Sequence, residues 1–271
     1  MSCRISPEEE DAAIQYVAKG TLEKLPKSPW GQTNVYLPPD LLLVIKELGQ
    51  DRAVRRGCAN LKATALCQEL GLRHLIVPRF GLSGDYTFEQ RLPVADVNLR
   101  SQTSLYASHR DCFSQAAKEF SAFLIKSHFP DILTWSHPYQ TEDKIPLGRF
   151  DNLPFFLNNG QGCVGLVDLG GYKVRQQKPS ELEIEECVKT AIAIFPYHLE
   201  EVCEAAGVPS KRFEALTKKT QNIFEKILIG SKVFCRSVFC RKTEEADLEK
   251  SALYYNFYFN RGGQLRVVYH Q

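Results

Sequence analysis

The hydrophobic rhythm of this chain changes once, and that change constrains the fold more than any other feature. Up to about residue 93 the apolar runs are mostly short and β-rich, with helical stretches between them; from about residue 111 onward long amphipathic helices dominate. Residues 32–36 (QTNVY) and 41–48 (LLLVIKEL) read as two strands around Leu37-Pro38-Pro39-Asp40, a turn. Residues 51–70 read as a helix closed by Gly71, with Leu61, Ala65 and Leu66 expected on one face. Residues 74–82 and 85–94 add two more strand-like runs. A helix over residues 7–18 leads the chain, because Ser6-Pro7-x-Glu9 is a capping-box start and Gly20 a stop.

Beyond the change, residues 111–127 form a long amphipathic pattern carrying Phe113, Ala117, Phe120, Phe123 and Leu124 on one side. Two apolar runs, 150–157 and 163–169, flank Asn158-Asn159-Gly160-Gln161-Gly162, a hairpin turn. Helical patterns follow from Ser180 to about residue 228, and the tail reads as two strands around Arg261-Gly262-Gly263. The sum is an α+β chain in two lobes: residues 1–93 hold a small antiparallel sheet with one helix across it, and residues 94–271 are mainly helical with a hairpin at 150–170.

Charge and cysteine content narrow the functional classes. The chain has 271 residues, with 34 Lys plus Arg against 32 Asp plus Glu, a formal net charge of +2. That near-balance excludes a dedicated nucleic-acid binder, which carries a clear basic excess. Nine cysteines are scattered without a Cys-x-x-Cys pair, so free thiols in a reducing compartment are expected rather than a zinc site or a disulfide framework. No apolar run reaches the length of a membrane span, and the N-terminus lacks a secretory leader pattern. A cytoplasmic protein is expected; export by a route without a cleaved signal is compatible with the same sequence.

Three segments carry candidate chemistry. Lys46 ends the apolar strand Leu43-Val44-Ile45, with Val44 on its own face; such a lysine either snorkels to water or presents its amine to a cleft. Asp168 ends the apolar run Val164-Gly165-Leu166-Val167 and is followed by Leu169-Gly170-Gly171, so its carboxylate caps the next turn or is offered to a hard cation such as Mg²⁺. Asp151 lies before the hairpin, in Arg149-Phe150-Asp151-Asn152, and the hairpin can bring both carboxylates to one mouth.

In this order and on these elements, the segments resemble the protein-kinase-like superfamily, in a compact and divergent bacterial form. Val44-Ile45-Lys46 looks like the strand lysine motif, residues 51–70 occupy the place of the αC helix, and Phe88-Glu89-Gln90-Arg91-Leu92-Pro93 looks like the fifth strand running into the hinge. Asp151 resembles the catalytic-loop aspartate, and Asp168-Leu169-Gly170 the metal-binding Asp-Phe-Gly. The resemblance implies a phosphotransferase using ATP and Mg²⁺, with a nucleotide as ligand and a protein as substrate or partner. Lys46 would hold the phosphates, Asp168 the metal, and Asp151 the acceptor hydroxyl. The backbone of Glu89 to Arg91 would meet the adenine edge, between walls supplied by Leu43, Val44 and Phe88.

Several positions depart from that pattern. No Gly-rich phosphate loop is present, and Gly31 is the candidate for its place. The residue five after Asp151 is Phe156 rather than Asn, so Asn152 is the expected second metal ligand. Glu69 is the acidic residue in the second half of the αC-like helix and the candidate partner of Lys46. His109-Arg110-Asp111 imitates a catalytic-loop triplet, but it opens the long helix, where Asp111 reads as an N-cap. These departures support a second reading, a pseudokinase acting as a binding or scaffold module.

Overall fold

The computed structural model describes residues 4–20, 33–94, 97, 99–128, 150, 152–167, 169, 172–229, 257–259 and 265–267. Helix α1 (Pro7–Lys19) begins and ends as expected. The Ser6 hydroxyl accepts from the Glu9 amide, the Glu9 carboxylate accepts from the Ser6 amide, and Gly20 closes the helix at φ 62°.

Next come β1 (Asn34–Tyr36), β2 (Leu43–Glu47), α2 (Gln50–Glu69), β3 (Leu75–Ile76), β4 (Phe80–Ser83) and β5 (Tyr86–Gln90). Among the described residues, one four-stranded antiparallel sheet forms in the order β1-β2-β5-β4. The run over residues 74–82 does not remain one strand. Pro78 has no amide to donate, and the chain divides there into β3 and β4. β3 leaves this sheet and pairs with the hairpin described below.

The sheet separates two environments by the period-2 alternation of its strands. Leu43, Ile45 and Phe88 are buried on one face with Ile5 and Ala13 at α1. That face needs Gly81, because a Cβ there would lie 2.7 Å from Ile5. The other face looks to α2, whose buried residues are Ala53, Gly57, Ala59, Asn60, Ala63, Leu66 and Cys67. The expected face is corrected here: Leu66 is buried, but Leu61 and Ala65 are exposed. Small residues rather than large ones mark the buried side, because they let the helix axis come close. A Cβ at Gly57 would sit 3.1 Å from the Phe80 ring.

The remainder is mainly helical. It contains α3 (Leu99–Ser108), a 3-10 turn (Arg110–Phe113), α4 (Ser114–Lys126), and helices Glu181–Ile194, Leu199–Ala206 and Glu214–Leu228. Asp111 is not the N-cap of the long helix: it sits in the 3-10 turn, fully exposed, and α4 starts after Phe113. The helical stretch beginning at Ser180 breaks around Pro196. Between α4 and these helices lie β6 (Ser127–His128), β7 (Phe155–Asn158), β8 (Gln161–Gly165) and β9 (Lys173–Val174). β7 and β8 form the expected hairpin, with Asn159 at φ 51° and Gly160 at φ 76°, and β8 pairs in parallel with β3. β10 (Phe257–Phe259) and β11 (Leu265–Val267) pair antiparallel.

A large aromatic core fills the helical part. Tyr106 stacks on Phe155 and meets Phe113, Phe195 and Phe224 edge-on. Ala59, Ala63, Leu66, Cys67 and Leu75 belong to the same core, so the second half of α2 and β3 pack against the helical part. The six described cysteines are free thiols. Among the described residues, no helix is long and apolar enough to cross a membrane.

Candidate functional site

Strand alternation delivers the first component. Leu43 and Ile45 point into the α1 core, so Val44 and Lys46 point to the α2 face. On β5 the neighbours across the strand are Thr87, opposite Lys46, and Glu89, opposite Val44. Glu89 therefore lies diagonally beside Lys46, within reach of its long side chain. The Lys46 ammonium donates to Glu89 Oε2 at 2.7 Å.

A second cation meets the same carboxylate from α2. Arg56 Nε donates to Glu89 Oε1 at 2.5 Å and Nη2 to Oε2 at 3.2 Å, and the Thr87 hydroxyl donates to Oε1 at 3.3 Å. Glu89 is 2% exposed. Burial pushes its carboxyl upward, but the charge of Arg56, then that of Lys46, with their hydrogen bonds, outweigh burial and hold it down at about 2. Glu89 is thus an anion at any ordinary pH. Two cations, one from the neighbouring strand and one from the helix, thus share the buried Glu89 carboxylate.

Arg56 continues the connection into the hairpin. Its Nη2 also donates to the Val167 carbonyl at 2.6 Å. The Val167 amide in turn donates to the Asn152 carbonyl at 3.0 Å, and the Leu166 amide to the Ile76 carbonyl at 2.9 Å. Gly165 permits this packing, since a Cβ there would lie 2.3 Å from Leu92. One continuous set of contacts thus runs from Lys46 on the sheet to Val167 and Asn152 on the hairpin. The next residue after Val167 is Asp168, and the residue before Asn152 is Asp151.

The expected site residues divide accordingly. Lys46, Val44 and Asn152 belong to this cluster or border it, and Asn152 is 7% exposed. Asp151, Asp168 and Gly31 lie outside the described residues. Glu69 is exposed near the end of α2; the carboxylate on Lys46 is Glu89 from the neighbouring strand. Phe88 does not face this cluster, because its place on β5 turns it into the α1 core, and Leu43 goes with it.

The backbone of Glu89 to Arg91 belongs to the sheet. Glu89 stands between Val44 and Phe80, the Gln90 amide donates to the Arg79 carbonyl, and the Arg91 amide donates to the Leu42 carbonyl. Those amides are committed to neighbouring strands. His109-Arg110-Asp111 lies elsewhere: Arg110 and Asp111 line a depression of about 470 Å³ with Tyr197, His198 and Glu201.

Sequence reasoning missed Arg56 and the side chain of Glu89. A signal for Glu89 was present, since an acid between Phe88 and Gln90 in a β run shares the strand parity of Lys46 across the pair. Arg56 offered none, because it is one of three arginines in α2 and only helix rotation selects it.

No family model matches the chain, and no curated protein matches it in sequence. Solved structures similar to it include WaaP in complex with acyl carrier protein, at TM-score 0.44 and 11% identity over 83% of this chain and 98% of that one. Another is the aminoglycoside phosphotransferase APH(2'')-Ib bound to ADP, at TM-score 0.44 and 12% identity over 92% and 98%. A third is the streptomycin–ATP–APH(2")-IIa ternary complex, at TM-score 0.39 and 11% identity over 84% and 97%. In its own topology, the chain follows the order expected of a kinase-like α+β fold: strand lysine, helix across the sheet, fifth strand, hairpin, helices.

The donor chemistry fits a nucleotide with a hard cation. Lys46 and Arg56 supply two cations, and Asn152, whose backbone carbonyl is tied to Val167, carries an amide oxygen of the kind that Mg²⁺ takes. Among the described residues, no group of three or more His, Cys, Asp and Glu side chains is placed to hold a metal ion.

Proposed function

We propose that the chain is an ATP- and Mg²⁺-dependent phosphotransferase of kinase-like fold that acts on protein hydroxyls, with lobes at residues 1–93 and 94–271. One observation carries this reading: the unbroken contact from Lys46 through Glu89 and Arg56 to the Val167 carbonyl, immediately before Asp168. It supports a strand amine and a hairpin carboxylate facing one cleft. In this reading the Lys46 ammonium holds the phosphates, oriented by Glu89. Asp168 and Asn152 are the residues that would hold Mg²⁺, and charge neutralisation on the phosphates is what that ion supplies when bound. Asp151 orients the acceptor hydroxyl. Val44 borders the base. The free thiols fit a reducing cytoplasm as the place of action.

The test has two arms. ATP with Mg²⁺ should raise the melting temperature of the wild type, and Lys46→Met should remove most of that shift. Label transfer from γ-labelled ATP to a protein mixture should fall on the order of 10²-fold or more in both Lys46→Met and Asp168→Ala. A wild type that neither shifts nor transfers label sinks the proposal.

One observation favours the alternative, a pseudokinase. The position where the catalytic loop carries its Asn is Phe156, buried at 4% exposure in the hairpin. A nucleotide-induced shift without label transfer would select that alternative.

A further inference from the structure

We infer that the outward face of α2 docks an acidic amphipathic helix of a partner protein, whether or not the chain transfers phosphate. Periodicity sends Leu61 and Ala65 to the core, and the fold turns them to water. Val54, Cys58, Leu61 and Ala65 are all exposed, Val54 at 44% and Leu61 at 37%. Their spacings are four, three and four residues, so they lie in one row along the helix surface. Apolar side chains scattered singly on a surface need no partner. A row at this spacing is the seam by which one helix packs on another. The row is not needed to seat α2 in the molecule, because different residues, Ala59, Ala63, Leu66 and Cys67, enter the large core.

Charge decides what can cover the row. Arg55 follows Val54 and Lys62 follows Leu61, so both bases flank the seam on one side, and both are exposed. The flanking positions on the other side are Gly57 and Thr64, which carry no charge. Asp51 and Glu69 stand beyond the two ends of the row.

A second copy of this chain is a poor match for that pattern. Laid antiparallel with the rows in register, Arg55 of one copy meets Lys62 of the other, two like charges. Laid parallel, Lys62 meets Gly57 and Arg55 meets Gln50, neither of them an acid. A helix that carries Glu or Asp beside its own apolar row pairs with both bases at once.

The probe is a fluorescently labelled three-heptad peptide with Leu along its seam and Glu at the flanking positions; its twin carries Lys in place of Glu. Fluorescence anisotropy reads binding to the full chain. The wild type should take the Glu peptide about 10-fold or more tightly than the Lys peptide, and added salt should weaken that binding. Leu61→Ser should lose most of it. The double variant Arg55→Glu, Lys62→Glu should reverse the preference and take the Lys peptide. Leu182→Ser, at an apolar residue 75% exposed on helix Glu181–Ile194, should match wild type. All these positions are exposed, so each variant should melt as the wild type does. Equal binding of the two peptides, or binding of neither, overturns the inference. So does a preference that the double variant leaves unchanged. Sedimentation checks the other occupant: a wild-type dimer that Leu61→Ser dissociates assigns the row to a second copy and overturns the acidic partner.

Discussion

Glu89 keeps a full charge beneath the sheet because two cations reach it from different elements, Lys46 along the neighbouring strand and Arg56 across from the helix. Removing the anion leaves both cations without it, so Glu89→Gln should cost about 3–5 kcal/mol at neutral pH in urea unfolding. The acid response has a definite sign. The carboxyl sits at about 2 in the fold, below its ordinary 4.5. Its contribution is fully present above pH 4.5 and is lost as pH falls from there through about 2. That loss is on the order of 3 kcal/mol. Unfolding midpoints measured from pH 7 down to 2 should fall less steeply over this window in Glu89→Gln than in wild type. Parallel acid curves for the two proteins would mean that Glu89 is not held as an anion by this pair.

Elements are placed here by what is missing as much as by what is present. α2 comes close to the sheet at Gly57, beside Phe80, and the hairpin reaches Leu92 through Gly165. Gly165→Ala forces a methyl to 2.3 Å from Leu92 Cδ1 and 3.1 Å from Pro154 Cγ. Overpacking of this kind costs about 1–3 kcal/mol. Because Gly165 precedes Val167 by two residues, the same variant should also weaken the ATP-dependent thermal shift. Chemical denaturation and the thermal shift with ATP and Mg²⁺ measure the two effects separately. A contrasting case is Ser180, which caps helix Glu181–Ile194 through a reciprocal bond with Glu183 at an exposed site. Ser180→Ala should cost about 1 kcal/mol and leave the nucleotide response unchanged.

At the scale of the molecule, the sheet has its own small core at α1, whereas the second half of α2 and β3 belong to the large aromatic core. Arg56 reaches Glu89 from the same helix whose second half packs into the larger core, so loosening that core should reach the cluster. Phe155 is fully buried, stacked on Tyr106 and packed against Phe113, Phe150 and Phe195. Phe155→Ala should destabilise the chain by about 3–5 kcal/mol in urea. A cost under about 1 kcal/mol would show that this cluster does not govern stability.

Much of this was legible from the residues alone. The capping boxes at Ser6 and Ser180, the left-handed stops at Gly20 and Gly207, the strand that puts Lys46 opposite Ile45 in parity, and the Asn-Gly hairpin are local matters. Each is settled by a few neighbouring side chains and the backbone they permit. The α+β order followed from them. Pairings between distant segments were not legible. Pro78 could announce a break, but β3 pairing with β8 depends on packing, and so does the rotation of α2 that buries Ala53 and Gly57 and turns Arg56 inward. Resemblance offered Glu69, on the helix, as a candidate partner of Lys46; strand register brings Glu89 to it. Propensity and capping act over a few residues and are written in the sequence. The choice of carboxylate and the tether to Val167 lie 43 and 111 positions apart along the chain, and only burial of the whole brings them within hydrogen-bonding distance.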